Sequence, residues 1–240
     1  MARLYPLYED NHLIIVNKPA GIPVQPDESN DKTMSDYVKD YIKQQYNKPG
    51  DVFLGTVHRL DRPVSGAIVF ARTSKALERM NEIFRKRQVQ KTYWALVAKR
   101  PEYESGKMTN WLIKDEKTNT VACFDEDMEG SQKAELYYRT LGKLNGFWLL
   151  EVNPITGRSH QIRAQLSHAG APIRGDLKYG YPKPNEDRSI CLHARRLWFM
   201  HPVKKEPLII TAGVPEIPFW EQFLTLDDFD PKDKSLDFIY

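Results

Sequence analysis

Short apolar runs that stop at turn residues are the feature that most constrains the fold of this chain. The first run, Leu13–Lys18, ends at the turn sequence Pro19-Ala20-Gly21. After an extended segment at Val52–His58, similar runs predict strands at Ala67–Ala71, Thr92–Ala98, Trp148–Val152, Leu192–Phe199 and Leu208–Ala212. Most of the connections are hairpin-like. We therefore expect an α+β fold, with a mixed, largely antiparallel sheet and flanking helices, instead of a doubly wound sheet.

Three segments have the residue spacing of amphipathic helices. The first is Thr33–Tyr46, in which Thr33 and Asp36 form a capping box. A second helix is expected to begin after Thr73 or Ser74 and to turn an apolar face inward. The residues of that face are Leu77, Met80, Ile83 and Phe84. A third helix is expected at 159–169, with a glycine just past its end.

The composition gives no sign of a membrane-spanning or secreted protein. The longest apolar runs, Leu13–Val16 and Ala67–Ala71, are too short to cross a bilayer. The first ten residues lack the apolar segment of a signal peptide. Cys123 and Cys191 form no Cys-x-x-Cys pair, which fits a reducing compartment. We therefore expect a cytoplasmic protein, whose acidic tail from Asp227 to Asp237 forms a peripheral turn.

Overall charge gives little evidence for a polyanionic partner, because 35 basic and 32 acidic residues leave a formal net charge of only +3. Local distribution is more informative. No acidic residue lies between Glu82 and Glu102 or between Asp187 and Glu206, and both stretches are enriched in Lys and Arg. Such gaps also arise by chance. The two stretches are candidates for contact with a nucleic acid and also for ordinary solvated surface.

The segment His58–Gly66 is the first candidate site. Asp61 lies in a loop between two expected strands, an arrangement that presents a reactive group from a rigid scaffold. Pro63 restricts that loop, and the neighbouring cations Arg59 and Arg62 favour an ionised carboxylate. The alternative is that Asp61 is a loop residue in a surface ion pair.

Two further segments carry candidate residues. In Thr156–Arg163 a glycine opens a turn, and the helix that follows places His160 and Arg163 on one face. That face is either solvated or part of an anion site at the helix start. In the third segment, Lys91–Ala95, Tyr93 points away from the face that carries its two neighbours, and it fits a core as well as a site.

These segments together resemble the motifs of the RluA-type pseudouridine synthases. In order along the chain, the matching motifs are Val16–Gly21, His58-Arg59-Leu60-Asp61 with Ser65-Gly66, Lys91-x-Tyr93, Gly157–Arg163, Gly175-Asp176-x-x-Tyr179-Gly180 and Leu192-His193-Ala194. The resemblance covers residues 7–212. Two departures, Val64 for Thr and Ala164-Gln165 for Val-His, touch no residue that the family uses chemically.

The resemblance implies one catalytic domain over residues 1–240, without the small N-terminal RNA-binding domain of many relatives. It implies an isomerase that detaches uracil from its ribose, turns it and rejoins it through carbon-5, with neither metal nor cofactor. The implied catalytic residues are Asp61, Tyr93, which stacks on the uracil, and Arg163, which pairs with the aspartate. The residues expected to bind RNA are Arg59, His58, Arg62, Arg158, His160 and Lys91. Among these, Arg59 would fill the gap that the flipped nucleotide leaves.

Several alternatives stay open at this point. The substrate is ribosomal or transfer RNA, and a monomer is expected. Asp61 either attacks the anomeric carbon or removes a proton from the adjacent sugar carbon. The main rival function is an RNA-binding protein with this fold and no catalysis. A glycoside hydrolase lacks a recognisable second carboxylate, a serine hydrolase lacks the full nucleophile elbow, and a metal hydrolase lacks ligand spacing.

Overall fold

The computed structural model describes residues 4–27 and 29–229, in which eleven strands form one continuous sheet. The strands are β1 (Pro6–Glu9), β2 (Leu13–Lys18), β3 (Gly55–Thr56), β4 (Ser65–Ala71), β5 (Val89–Val97), β6 (Ser105–Asp115), β7 (Thr120–Phe124), β8 (Gln132–Leu144), β9 (Phe147–Pro154), β10 (Leu192–Met200) and β11 (Pro207–Thr211). The helices are α1 (Met34–Gln45), α2 (Ser74–Arg85), α3 (Gln161–His168) and α4 (Pro218–Glu221), with 3-10 turns at Leu177–Tyr179 and Gln222–Leu226.

The main path of the sheet runs β1-β2-β4-β10-β5-β9-β8-β6-β7, with β3 added to β4 and β11 added to β10. Among the described strands, only β4 and β10 pair in parallel, through Ser65–Gly66 and His193–Ala194. The α+β prediction of a mixed, largely antiparallel sheet is therefore confirmed. The single parallel contact joins the strand that follows the Asp61 loop to the centre of the sheet.

Each predicted strand is present, and four others, β1, β6, β7 and β8, were missed. β2 and β4 are continuous apolar runs because each is covered on both sides. β6, β7 and β8 alternate buried and exposed residues and contain many Lys, Thr, Glu and Gln side chains. Such strands lack the apolar run that marks a fully buried strand, and the prediction passed over them.

Two helices cover opposite faces of the same strands. Ile14 and Val16 of β2 belong to one core cluster together with Met34, Val38 and Ile42 of α1. The alternate residues of β2 belong to a second cluster with α2; these are Leu13 and Ile15, with Ala76 and Met80 as the helical partners. This alternation follows from the period of two in a strand. Packing on both faces of β2 holds the end of this strand, which carries Lys18, in the protein interior.

The predicted helix caps are confirmed. The side chain of Thr33 accepts a hydrogen bond from the Asp36 N–H, and the Asp36 carboxylate accepts one from the Thr33 N–H. Thr73, not Ser74, caps α2. α3 is shorter than expected, and Gly170 follows it with φ +71°.

The acidic tail behaves differently from the peripheral turn that was expected. Asp227 lies against the sheet and forms ion pairs with Arg195 and Arg196, both of which are buried. Asp228 pairs with Arg139 at 2.6 Å. Residues 230–237 of that tail lie outside the described residues. Arg195 and Arg196 therefore face inward and are not part of a basic surface.

We predict that Gly66→Ala strongly destabilises the fold. Gly66 has φ +120°, and a Cβ there would lie 2.5 Å from the backbone nitrogen of Ala194, across the parallel contact. The strained backbone and the clash should together cost about 3 kcal/mol or more. Thermal unfolding measures the effect. Gly50→Ala is the control because a Cβ at Gly50 meets nothing within 4 Å. Equal melting temperatures for the two variants would contradict the prediction.

Candidate active site

A buried arginine joins two aspartates at the centre of the site. Arg163 Nη1 donates to Asp61 Oδ2 at 2.9 Å. The same guanidinium grips Asp176 with two bonds, from Nε at 2.7 Å and from Nη2 at 2.9 Å. Burial lowers the pKa of Arg163, but hydrogen bonds and charge from Asp176 and Asp61 reverse this effect and hold that pKa above its ordinary value. Arg163 is thus fixed as a cation in one orientation.

A buried lysine forms a hydrogen bond with the backbone of the Asp61 loop. Lys18 is fully buried at the end of β2, and its ammonium donates to the carbonyl oxygens of Pro19, Ile22 and Arg62 at 3.0, 2.8 and 3.2 Å. Burial lowers the pKa of Lys18 to about 7, while the negative charge of Asp61 opposes that change. The lysine therefore ties the residue after Asp61 to the turn that follows β2.

The start of α3 lies beside the same carboxylate. His160 precedes the helix in a left-handed conformation, with φ +50°. Its Nδ1 lies 2.8 Å from the Tyr179 hydroxyl, which accepts a bond from the Val121 N–H at 2.9 Å. All groups are satisfied when the tyrosine donates to Nδ1. The proton of His160 then sits on Nε2, 3.8 Å from Asp61 Oδ2. Burial lowers the pKa of His160, which keeps the ring neutral.

Tyr93 lies on β5 close to Asp61. Burial raises the pKa of the Tyr93 hydroxyl, and the charge of Asp61 raises it further. The phenol therefore stays protonated at physiological pH. The structure thus brings together Asp61, Tyr93 and Arg163, which the sequence places 32 and 70 residues apart.

The carboxylate keeps one oxygen free and remains accessible. The side chain of Asp61 is 29% exposed, and its Oδ1 makes no hydrogen bond with the described residues. A cavity of about 560 Å³ adjoins the site, with Arg163 and Asp176 in its wall and Leu177 and Ile190 as apolar lining. Among the residues that the structure describes, no group of three or more His, Cys, Asp or Glu side chains is arranged to hold a metal ion.

Two of the residues expected to bind RNA have partners within the protein. His58 Nε2 accepts a hydrogen bond from the Val69 N–H at 3.1 Å, and its ring stacks on Phe84. Arg62 donates to Ser29 at 2.9 Å and pairs with Asp31. His58 therefore braces the loop and turns inward. Arg62 would have to exchange an acidic partner for a phosphate.

The other residues expected to bind RNA differ in exposure and in the partners of their side chains. Arg59 is exposed and has no side-chain partner among the described residues. Arg158 is exposed and donates only to the Lys133 carbonyl, at 3.2 Å. Lys91 is partly buried and faces Gly157. His160, as described above, faces Asp61.

Three residues of the site were not among the predicted site residues. They are Lys18, Asp176 and Tyr179, all within matched motifs. A signal was available for Asp176, because it lies in the matched motif Gly175-Asp176-x-x-Tyr179-Gly180. What sequence could not reveal is that Arg163 has two carboxylate partners at once.

A family model, curated relatives and a solved structure all point to pseudouridine synthases. A family model described as RNA pseudouridylate synthase matches residues 12–168. A protein of Vibrio cholerae named tRNA pseudouridine synthase C is 32% identical, over 91% of this chain and 93% of its own. A protein of Xylella fastidiosa named ribosomal large subunit pseudouridine synthase D is 34% identical, over 88% of this chain and 66% of its own. The solved human RNA pseudouridylate synthase domain containing 4 superposes with a TM-score of 0.75 at 26% identity, covering 92% of each chain.

We predict that Asp176→Asn damages both stability and turnover. The change leaves one partner of Arg163 neutral in a buried place, which should cost about 3–5 kcal/mol of unfolding free energy. The guanidinium would then turn toward Asp61 and misplace its carboxylate. Denaturant unfolding and turnover with RNA measure the two effects. Asp228→Asn, at an exposed ion pair, is the control. Full turnover by Asp176→Asn would show that activity does not need the charged pair of hydrogen bonds between Arg163 and Asp176.

Proposed function

Because the chain belongs to the RNA pseudouridylate synthase family, we propose that Asp61 is the carboxylate with which it converts uridine in RNA to pseudouridine. As a member of this family the chain is an isomerase that acts on RNA. The observation that supports the role of Asp61 is its free Oδ1, exposed beside a fixed cation and a protonated phenol.

The reaction rearranges bonds without net gain or loss of atoms. The bond from uracil nitrogen-1 to the ribose C1′ breaks, the base turns, and carbon-5 forms the new bond to C1′. The proton on carbon-5 leaves to solvent, and nitrogen-1 gains one. Asp61 begins this sequence from its ionised form, either by attack at C1′ or by removal of the proton from the adjacent sugar carbon. Both routes need a carboxylate oxygen that is free to reach the sugar.

The other two residues assist without forming bonds to the substrate. Arg163 holds the ionised carboxylate in one position, so the reacting oxygen pays little reorganisation on meeting the sugar. Tyr93 supplies a flat face for the detached base, and its retained proton suits it to late proton movement. His160 Nε2 lies 3.8 Å from Oδ2 of Asp61, close enough to contact the substrate beside this carboxylate.

The target nucleotide has to leave its stack, because both reacting ring atoms must reach the carboxylate. Arg59 is exposed next to the loop and has no protein partner among the described residues, so it is available to fill the vacated space. Arg158 and Lys91 add positive charge on the side of α3. His58 would act from inside by bracing the loop. Arg62 would also contact RNA if a phosphate replaced Asp31 as the partner of its guanidinium.

Transfer RNA is the favoured substrate class. The relative named as a tRNA synthase in Vibrio cholerae aligns over 93% of its own length, and one in Salmonella typhi, 33% identical, aligns over 88%. The relative named as a ribosomal synthase in Xylella fastidiosa aligns over 66%. The chain therefore matches the proteins named for tRNA over more of their own length than it matches this protein named for ribosomal RNA.

The setting of the enzyme is proposed from general features. Among the described residues, no helix is long and apolar enough to cross a membrane. The cysteines, both free, fit a reducing compartment. We propose a cytoplasmic monomer, a single catalytic domain that works without metal or cofactor.

We expect deletion of the gene to remove pseudouridine from tRNA. Total RNA from cells with and without the gene would be mapped for pseudouridine at each position. Loss at a tRNA site, restored by the wild-type gene and not by an Asp61→Asn copy, is the expected result. Loss confined to ribosomal RNA would overturn the choice of substrate and keep the activity.

We expect Asp61→Asn to abolish turnover while the fold persists. The variant loses the reacting charge, but Arg163 keeps both bonds to Asp176. Release of tritium from RNA labelled at uracil carbon-5 should fall more than about a thousandfold. Asp51→Asn, an exposed aspartate with no side-chain hydrogen bond among the described residues, is the matched control.

The same assay separates the rival functions. An RNA-binding protein without catalysis would bind RNA and release no tritium even as wild type. A base-removing enzyme would liberate free uracil. Tritium release at the wild-type rate by Asp61→Asn would remove Asp61 from the catalytic role.

A further inference from the structure

Lys91 occupies a distinctive place at the edge of the active site. It lies on β5 two residues before Tyr93, so both side chains point to the same face of the sheet. Its Nζ lies 3.6 Å from the position that a Cβ on Gly157 would take. The ammonium therefore faces the turn between β9 and α3, close to His58 and three residues before His160.

The ammonium of Lys91 is unpaired within the part of the chain that the structure describes. Among the described residues it makes neither a hydrogen bond nor an ion pair, in contrast to Lys18, whose ammonium meets three carbonyl oxygens. Burial lowers the pKa of Lys91 to about 8, and the positive charge of Arg87 adds to this effect. A partly desolvated cation without a counter-ion costs stability, so the site is built for a ligand that supplies negative charge.

We propose that the Lys91 ammonium binds a backbone phosphate of the RNA next to the target uridine, in the space that Gly157 leaves open. This proposal rests on the proposed function, since it places an RNA strand at Asp61. The ligand chemistry is a phosphate oxyanion, and the phosphodiester of bound RNA is its source. The phosphate favours the charged lysine, so RNA binding is coupled to protonation of Lys91.

The coupling has a defined sign and pH range. The group that binds phosphate is the protonated amine, so affinity should fall as the pH rises through 8. The groups facing Lys91 do not mimic this change. His58 is already neutral because burial lowers its pKa to about 3, and the pKa of Tyr93 is raised. Arg87 and Arg158 keep their charge. Lys18, with a pKa of about 7, titrates in a neighbouring range.

The test is tRNA binding by the full chain at pH 7.0 and 8.8, with total tRNA from cells that lack the gene as the probe. Wild-type affinity should fall roughly fourfold across this range, given a pKa of about 8 for Lys91 and roughly tenfold weaker binding by its neutral form. Lys91→Arg should remove most of that fall, since a guanidinium stays charged. Lys91→Gln should bind roughly tenfold more weakly at pH 7.0 and reduce the slope of log affinity against log salt by about one.

The matched control is Lys48→Gln, outside both basic stretches, where the side chain is exposed and makes no hydrogen bond or ion pair among the described residues. It should keep wild-type affinity and pH dependence. Lys91→Gln should melt at or above the wild-type temperature, because no hydrogen bond within the described protein is lost and an unpaired, partly buried charge is removed. In tritium release it should raise KM and leave kcat within about threefold, as expected for a binding contact.

The outcomes are distinguishable. If wild type releases no tritium from labelled tRNA, the proposed function fails, whatever Lys91 does. If wild type is active and Lys91→Gln keeps its affinity, salt slope and pH dependence, the phosphate contact is overturned. Inorganic phosphate is a separate arm: a Lys91-dependent response to millimolar phosphate without any to tRNA would also overturn the proposal, because the source would then be a free anion.

Discussion

The site depends on one buried cation shared between two carboxylates. Arg163 uses three nitrogen donors, two on Asp176 and one on Asp61, and so cannot rotate without breaking a buried ion pair. Asp176 is almost fully buried and Asp61 is partly open, so the two carboxylates have different roles. The inner one fixes the guanidinium, and the outer one is left with a free oxygen. This asymmetry turns an ordinary ion-pair network into a reactive site.

The sheet makes that arrangement possible by bringing distant segments to one place. The loop before β4 carries Asp61, and the parallel contact of β4 with β10 holds the end of this loop against the centre of the sheet. A glycine at position 66 is required because the two backbones approach too closely for a side chain. On the next strand, β5, Tyr93 pairs with Ala194, so the phenol reaches the same point. Hydrogen bonds between backbones therefore set the distances between the proposed catalytic groups.

Much of this could be predicted from the sequence, and the exceptions have physical causes. Strands buried on both faces were found because their apolar runs are continuous, whereas β8, with alternating burial, was missed. Asp61, Tyr93 and Arg163 were chosen through the resemblance to a family, since each residue type alone also fits an ordinary role. His58 was expected to contact RNA, but in the structure its ring accepts a hydrogen bond from the Val69 N–H and stacks on Phe84. Partners that come from distant segments are the information that a local motif lacks.

The distribution of unpaired charge shows how the enzyme is prepared for its substrate. The polar face of α3 is not solvated, since Arg163 is buried and committed to carboxylates. Arg62 is balanced by the acidic segment at Asp31. Among the cations expected to bind RNA, Arg59, Lys91 and Arg158 have no carboxylate partner within the described residues; Arg59 is two residues from Asp61 in sequence, and Lys91 faces Gly157, three residues before His160. An RNA strand that crosses the site would bring phosphates to these cations, while Asp61, paired with Arg163, would repel that strand less than an unpaired carboxylate would. In the proposed function, this ion pair would therefore favour RNA binding as well as position the reacting carboxylate.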